Sequence, residues 1–361
     1  MASVGVCKKL LDYVSGFYGE AEWPALARQC ARWGKDRPLD GLEILDATPI
    51  FRNTLPKYAA LAAAGARVSV SSCPTIPADM RVVGMLAEFG IGVASPERLE
   101  EGFDAVLDCG AAYRDVPSRL GYCELTRTGA AGYAGCQKPV FLADSSLIKA
   151  IETGLGTGDG FVRAMEALGH PPDRASGPAV VFGCGKVGCG IVMGLLARGV
   201  EVFAVDDLSR ARIPAGAVPV DMRDRTAVES ALEGAWCAVS ATGVRGALRG
   251  MFDSARLTAS ETILANMGVE DEYGCEMPSS RVLNAKRPLN FILEEPTHLK
   301  YIDPTLALHN FGAVKLLEGA LPPGISVPSA GDQEPILSCV RRAGVISKEL
   351  ERLEAWLGAG V

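Results

Sequence analysis

The 361-residue chain has a net charge of −7, with 48% hydrophobic and 22% charged residues. Because its Lys and Arg residues form no cluster, this acidic balance argues against nucleic acid or an anionic membrane as the main partner. No window approaches about 18 consecutive apolar residues, and the N-terminus has no apolar stretch of signal-peptide length, so we expect a cytoplasmic protein with two domains.

The chain contains eleven cysteines, an odd number, and none of them form a C-x-x-C pair. Several lie within apolar strand patterns, so we expect buried, reduced thiols rather than disulfides, and no bound metal. Cys73 and Cys109 are candidate site thiols, with a buried structural role as the alternative.

Residues 1–37 have the pattern of amphipathic helix, ending near Gly34 and Pro38. Beyond them, short apolar runs alternate with helical stretches, which predicts a parallel sheet covered by helices. The predicted strands of this half are Leu42–Asp46, Arg67–Ser71, Gly92–Ala94, Ala105–Asp108 and Val140–Ala143, and the predicted helices are Arg52–Ala64 and Ala78–Phe89.

The glycine-rich segment Thr153–Gly160 interrupts this alternation. Such a segment is typical of a hinge or tight turn between domains, and a phosphate-binding loop is the alternative. A predicted helix, Phe161–Leu168, and a linker, Pro171–Pro178, follow it.

Strands and helices alternate again after the linker. The predicted strands are Ala179–Phe182, Glu201–Val205, Ala235–Ser240, Thr262–Ala265 and Phe291–Leu293, and the predicted helices are Leu306–Gly319 and about Pro335–Leu357. The sequence therefore predicts a two-domain α/β protein: a parallel-sheet α/β substrate domain of residues 1–153 with about 305–330, a Rossmann NAD-binding domain of residues 156–304, and a C-terminal helical tail of residues 331–361.

Gly183, Gly185 and Gly188 form a G-x-G-x-x-G motif between an apolar strand and a predicted helix. In that context the backbone amides at the start of the helix, including those of Lys186 and Val187, can bind a pyrophosphate. The glycine motif therefore predicts a dinucleotide site.

Asp206 and Asp207 end the next predicted strand, roughly 20 residues further on. An acidic side chain there accepts hydrogen bonds from ribose hydroxyls and repels a 2′-phosphate, so NAD is favoured over NADP. Ligands bind beyond the carboxyl ends of such strands, so the residues that follow the next two strands are also predicted to touch the cofactor: Thr242, Gly243, Asn266, Met267 and Gly268.

Taken in order, the motifs resemble those of the S-adenosylhomocysteine hydrolase family over roughly residues 38–320. The resemblance rests on Val70-Ser71-Ser72-Cys73, Leu107-Asp108-Cys109-Gly110, Glu124-Leu125-Thr126-Arg127-Thr128-Gly129, Asp144-Ser145, Gly183–Gly190 and Asn266-Met267-Gly268.

The resemblance implies two domains that close over a cleft, and a homodimer or homotetramer. It implies resident NAD that transiently oxidises the 3′-hydroxyl of a nucleoside, so that elimination and addition of water can follow. It further implies that Thr126, Thr128 and Asn310 contact the nicotinamide ribose, with Arg127 in the same cofactor segment.

The chain departs from the family at its catalytic positions. Pro49, Val269 and Asp303 stand where the family has histidines, and Ile148 stands at its catalytic lysine, with Lys149 one position on. Hydrolysis of S-adenosylhomocysteine itself is therefore not expected.

Four residues are candidates for an altered acid–base set: Lys149, Glu152, Asp108 and Glu124. Lys149 and Glu152 are three apart and would share a helix face, where a buried lysine of lowered pKa could accept a proton. A surface salt bridge is the alternative for that pair, and a turn-capping role is the alternative for Asp108. The candidate substrate ligands are Asn53, Thr54, Thr157 and Asp303, and either His298 or His309 could touch a ligand.

Three functions remain open from the sequence. The first is an NAD-dependent enzyme that transiently oxidises a nucleoside or related hydroxylated metabolite, permitting elimination, hydration or epimerisation. The second is a simple dehydrogenase with exchangeable NAD, and the third is a catalytically inactive homologue that binds NAD or nucleosides.

Overall fold

In the computed structural model, which describes residues 2–74 and 76–358, the chain divides into two α/β units. Unit 1 comprises the residues up to Lys149 together with Leu299–Ser347, and unit 2 comprises Ala150–His298 together with the residues from Lys348 onward. Both units are built on parallel sheets, so the predicted fold class is confirmed. The division differs from the predicted one mainly at the C-terminus, because the tail contributes one helix to each unit.

Unit 1 holds a seven-stranded sheet in the order β12-β6-β5-β4-β1-β2-β3. Its strands are β1 (Glu43–Asp46), β2 (Arg67–Val70), β3 (Gly92–Val93), β4 (Phe103–Asp108), β5 (Ser118–Glu124), β6 (Pro139–Leu142) and β12 (Gly324–Ser326). The helices that begin in this unit are α1 (Ala2–Val14), α2 (Pro24–Asp36), α3 (Leu55–Ala63), α4 (Met80–Phe89), α5 (Pro96–Glu101), α6 (Arg127–Gly132), α7 (Leu147–Ala150), α12 (Leu299–Glu318) and α13 (Ala330–Ala343). All strand pairs are parallel, and chain order reverses between β1 and β4, the position where such sheets commonly bind ligands.

Unit 2 holds a five-stranded parallel sheet in the order β11-β10-β7-β8-β9. Its strands are β7 (Ala179–Phe182), β8 (Val202–Asp206), β9 (Val218–Asp221), β10 (Cys237–Ser240) and β11 (Ile263–Asn266). Its helices are α8 (Thr157–Ala167), α9 (Lys186–Leu196), α10 (Arg225–Leu232) and α11 (Ser254–Ala259), and the last helix of the chain, α14 (Ser347–Gly358), lies in it from Lys348 onward. Numbered within the unit, the order is 5-4-1-2-3, which is the arrangement of a Rossmann sheet.

The glycine-rich segment is helical, so the predicted turn at Thr153–Gly160 is wrong. A π-helical stretch, Ile151–Gly156, leads directly into α8. The glycines serve close packing: a Cβ on Gly158 would lie 2.3 Å from the Gly190 carbonyl oxygen, and one on Gly190 would lie 1.9 Å from that of Gly154. Tertiary packing therefore overrides the local preference of glycine for turns.

Three other predicted elements differ from the structure. The N-terminal helix is two helices, because residues 15–23 contain Gly16 and Gly19 and Pro24 begins α2. The strand expected at Phe291–Leu293 is a 3₁₀ turn, Leu289–Ile292, and the final helix is divided at residues 344–346. Three strands, β5, β9 and β12, were not predicted.

Candidate functional site

The glycine motif of unit 2 forms a tight loop between β7 and α9. Gly183 has a φ of +91°, and a Cβ on Gly188 would lie 1.7 Å from the Gly183 carbonyl oxygen, so both positions require glycine. A Cβ on Gly185 would meet nothing within 4 Å, so the backbone there faces open space. This is the position where a pyrophosphate approaches the backbone in dinucleotide-binding loops.

Helix α9 begins directly at this open space. Gly185 is its N-cap residue, and the first amide with a partner inside the helix is that of Cys189, which donates to the Gly185 carbonyl oxygen. The amides of Lys186, Val187 and Gly188 lie in the first turn, where a helix leaves donors for an anion. The loop therefore has the geometry of a pyrophosphate site.

Asp206 ends β8, the strand next to β7, and one of its carboxylate oxygens accepts a hydrogen bond from the Cys184 amide at 2.5 Å. Asp207 instead pairs with Arg223, with 2.6 Å between Oδ2 and Nη2, and also accepts from Ser209. Asp206 is thus the acid that adjoins the glycine loop, while Asp207 pairs with an arginine of the turn after β9.

Glu272 organises the loops after β10 and β11, and sequence reasoning missed it. Its buried carboxylate accepts from the Thr242 amide at 2.7 Å, the Thr242 hydroxyl at 2.9 Å and the Gly243 amide at 2.7 Å. A Cβ on Gly268 would clash with the same carboxylate at 1.9 Å. Among the several acids of segment 270–276, no local pattern distinguishes this one.

Asn266 has a structural role that limits its part in cofactor contact. Its side chain is fully buried, accepts from Ser240 and the Gly268 amide, and donates to the carbonyl oxygens of Gly268, Glu270 and Lys286. The following Met267 is also buried, whereas Gly268 and Val269 continue into the exposed loop.

The bond from Asn266 to Lys286 stabilises an unusual turn. Asn284, Ala285 and Lys286 have φ values of 52°, 51° and 68°, three successive left-handed residues without a glycine. The Lys286 ammonium group donates to Asp271 and to the Gly274 carbonyl oxygen. Hydrogen bonds to both the backbone and the side chain of Lys286 therefore stabilise a backbone conformation that is unfavourable for residues other than glycine.

In unit 1, acidic residues end three neighbouring strands at the carboxyl edge of the sheet: Asp46 on β1, Asp108 on β4 and Glu124 on β5. All three are fully buried. Asp46 forms an ion pair with Lys57 of α3, which is also fully buried, and its other oxygen accepts from the Thr48 amide. Burial lowers the pKa of Lys57. Neither Asp46 nor Lys57 was predicted as a site residue.

Asp108 is held by three hydrogen bonds. Its carboxylate accepts from the amides of Cys109 and Tyr113 and, at 2.6 Å, from the Tyr133 hydroxyl. Burial raises the pKa of Asp108 to about 6, and the Glu124 charge adds to that shift. This carboxyl group can therefore change protonation state near neutral pH.

Glu124 and Thr126 shape the loop after β5. The Glu124 carboxylate accepts from the amides of Gly110, Ala111 and Thr126 and from the Thr126 hydroxyl, and Thr126 caps α6 by accepting from the Gly129 amide. With four donors on it, Glu124 anchors loops in this structure. Arg127 and Thr128 lie exposed on the first turn of α6.

Lys149 is buried in α7, and its amide donates to the hydroxyl of Ser146, which directly precedes that helix, whereas Glu152 lies in the π-helical stretch that follows. The predicted pairing of Lys149 with Glu152 stays a prediction. Thr157 begins α8 and is partly exposed.

Four further predicted ligands lie inside unit 1. Asp303 is fully buried, and its two oxygens accept from the amides of Ala25 and Leu26 at the start of α2, so it caps a helix. Burial raises the pKa of Asp303 to about 7. Asn310 is also fully buried, and its side chain donates to the Lys57 carbonyl oxygen and to Gln29. The Thr54 hydroxyl donates to the Pro49 carbonyl oxygen, and the neighbouring Asn53 is buried as well.

His309 is fully buried in unit 1, and burial lowers its pKa to about 3. Its Nε2 lies 2.9 Å from the Cys123 carbonyl oxygen, so the ring belongs to the interior rather than to an open ligand site.

All eleven cysteines are free thiols, and six of them, including Cys73 and Cys109, are buried.

Residues 2–74 and 76–358 hold no cluster of three or more His, Cys, Asp or Glu side chains with the arrangement of a metal site. Within the same ranges, no helix is both long and apolar enough to cross a membrane.

No protein-family model and no curated protein matches this chain. Among solved structures it is similar to a dipicolinate synthase subunit from Bacillus halodurans, with 14% identity over 79% of this chain and 99% of that one, and a TM-score of 0.49. A dipicolinate synthase chain from Bacillus subtilis matches at 12% identity over 89% and 99%, with a TM-score of 0.43. The NAD-complexed D-isomer specific 2-hydroxyacid dehydrogenase from Lactobacillus delbrueckii ssp. bulgaricus matches at 12% identity over 78% and 98%, with a TM-score of 0.37. Sequence identities and TM-scores this low do not support a functional assignment, so the proposal below is based on the residues of this chain.

Proposed function

We propose that the protein is an NAD-dependent enzyme with oxidoreductase chemistry and that unit 2 binds the cofactor. One observation carries the proposal: a glycine loop with open space at Gly185 stands beside an acidic residue, Asp206, at the carboxyl edge of a Rossmann-ordered sheet. When bound, NAD supplies a hydride acceptor for an alcohol.

The residues present fit this cofactor. The amides of Lys186, Val187 and Gly188 would hold the pyrophosphate, and Asp206 would accept hydrogen bonds from the adenosine ribose. Arg210 and Arg223, which could have favoured a 2′-phosphate, both approach Asp207, at 3.8 Å and 2.6 Å. These ion pairs support NAD over NADP.

The substrate part of the proposal rests on the family resemblance. We propose transient oxidation of a nucleoside or related hydroxylated metabolite, with Lys149 and Asp108 of unit 1 as the candidate groups for proton transfer. Two properties support them: Lys149 is nearly buried, and the pKa of Asp108 lies near neutrality. Oxidation that is reversed within the same turnover would give no net NADH.

The first experiment is to denature the purified protein and analyse the released small molecules by chromatography. Near-stoichiometric NAD would support a resident cofactor and transient oxidation. A protein that releases none but binds added NAD reversibly would favour a simple dehydrogenase with exchangeable cofactor. A protein that neither releases NAD nor binds added NAD would contradict the cofactor assignment.

Asp206→Asn should weaken NAD binding roughly ten- to hundredfold, because hydrogen bonds to a charged acceptor contribute about 1.5–3 kcal/mol. Affinity for NADP should fall less, since the substitution also removes repulsion of the 2′-phosphate. Isothermal titration with both cofactors measures the two effects. Asp221→Asn is the matched control, because Asp221 is the register partner of Asp206 on β9 and should leave both affinities unchanged. Unaltered NAD affinity in the Asp206 variant would refute its assigned role.

Lys149→Ala should abolish proton transfer while NAD remains bound, with a rate loss of about a hundredfold or more. Adenosine serves as the probe substrate, and the measurement combines its turnover with an NAD titration of the same variant. The exposed Lys138 provides the control Lys138→Ala, which should behave as the wild type. Turnover that survives in the Lys149 variant would place the base elsewhere.

A further inference from the structure

The last helix of the chain, α14, ends against the loop that follows β8 within unit 2. The Trp356 indole N–H donates to the Arg212 carbonyl oxygen at 3.2 Å. In return, the Arg212 guanidinium donates to the Leu357 carbonyl oxygen at 2.8 Å and to that of Trp356 at 3.4 Å. Because a helix leaves its last four carbonyl groups without partners, Arg212 caps α14 and places a cation at its negative end.

The loop held in this way is long and otherwise irregular. Residues 207–217 contain no helix or strand, although they begin directly after Asp206. Ala211 and Ile213 flank Arg212, and both pack with Trp356 against the main core of unit 2. Through these contacts α14 holds the middle of the segment.

A series of hydrogen bonds continues from Arg212 to the glycine motif. The Cys189 thiol, on the first turn of α9, lies 3.7 Å from the Arg212 carbonyl oxygen and 2.9 Å from that of Cys184. The Cys184 amide in turn donates to Asp206. The same network therefore reaches both the acid at the end of β8 and the loop that precedes α9.

Leu353 gives α14 a second contact near the motif. It is nearly fully buried, and a Cβ built on Gly154 would lie 3.7 Å from its Cδ1 and 3.3 Å from the Lys186 carbonyl oxygen. Leu353, Gly154 and the start of α9 are thus in one packed layer. One helix braces the loop after β8 and packs beside the helix that would hold the pyrophosphate.

We propose that α14 is a positioning element for the adenosine half of the cofactor site, with Trp356 and Arg212 as its positioning residues. This inference rests on the proposed NAD-binding function of unit 2. It assigns no contact between α14 and the ligand. The helix acts by holding Asp206 and the glycine loop in the arrangement that binds the adenosine ribose and the pyrophosphate.

The test is Trp356→Phe, which keeps an aromatic ring but removes the indole donor together with the five-membered part of the ring system. One lost hydrogen bond corresponds to a loss of affinity of about three- to tenfold. Titrations with NAD and with ADP-ribose should show the same loss, because ADP-ribose contains the whole half of the ligand that the braced loop would serve. Trp236→Phe is the matched control, since Trp236 also packs on this core but precedes β10, which lies across β7 from β8. It should bind both ligands as the wild type does.

Hydrogen exchange provides a readout that needs no ligand. Amides of residues 207–213 should exchange faster in Trp356→Phe than in Trp236→Phe. Wild-type protein that binds neither NAD nor ADP-ribose would overturn the proposed function and this inference together. Wild-type binding with equal affinity in the Trp356 variant, or equal losses in both tryptophan variants, would overturn the positioning role alone.

Discussion

Replacing Asp46 with Asn should lower the free energy of unfolding of unit 1 by about 3–5 kcal/mol, because it leaves the Lys57 ammonium group buried without its counter-charge. Both side chains of this ion pair are 0% exposed, so water cannot solvate the lysine that remains. Denaturant titration of the purified variant measures the loss. The same substitution in an exposed pair, Asp36→Asn beside Arg32, should cost less than about 1 kcal/mol.

The pH dependence of the Asp46 variant gives a second check. Burial already lowers the pKa of Lys57 in the folded protein, and removing Asp46 should lower it further. The unfolded state then binds a proton that the folded state has lost, so stability rises with pH up to the unfolded pKa of about 10.4. The destabilisation should therefore shrink as the pH rises towards that unfolded pKa. A loss as small as that of Asp36→Asn, or one that grows with pH, would contradict this account of the pair.

Lys57 carries a signal that is visible in the sequence, although it was not predicted as a site residue. It is the single charged residue in a helix whose nine residues are all buried, and a helix that is apolar all round lies in a core. A lysine at such a position needs a partner, and Asp46 ends the adjacent apolar strand pattern. The need for a carboxylate could have been predicted, but the choice of Asp46 depends on how α3 packs on β1.

The parts of the fold that sequence reasoning predicted are those with a local signal. The apolar runs of β1, β4, β7 and β8 and the glycine motif each identify an element without reference to the rest of the chain. Strand β5 was not predicted because Arg119 and Gly121 interrupt its apolar run. It is buried because β4 and β6 lie on either side of it. Strands of this kind are defined by their neighbours.

In the candidate sites, too, residues with a local sequence signal were predicted and residues with distant partners were not. Asp206 was predicted correctly to lie at the end of β8, because strand and acid are contiguous in the sequence. Glu272 and Trp356 could not be found in that way, since their partners Thr242 and Arg212 lie 30 and 144 residues distant along the chain. Polar residues that organise loops across a fold have no spacing rule, so the amino-acid sequence alone does not reveal them.

Gly190→Ala should destabilise unit 2 by about 3 kcal/mol or more, because the new methyl group would lie 1.9 Å from the carbonyl oxygen of Gly154 and 2.4 Å from its carbon. These are backbone atoms, so no side chain can move aside to relieve the clash. The contact is reciprocal, since a Cβ on Gly158 would meet the Gly190 carbonyl oxygen at 2.3 Å. Only separation of α9 from the π-helical stretch and α8 would make room.

The same helix offers a control one turn further on. A Cβ on Gly194 would have the Val162 Cγ2 as its nearest neighbour, at 3.6 Å, which is ordinary van der Waals contact. Gly194→Ala should therefore be neutral or stabilise by up to about 1 kcal/mol, because alanine favours the helix. Denaturant unfolding of the two variants compares one substitution at two positions of α9. Equal effects would mean that the close approach at Gly154 does not determine the packing. A large difference would mean that the close approach of α9 to the helical segment 151–167 requires glycine at position 190.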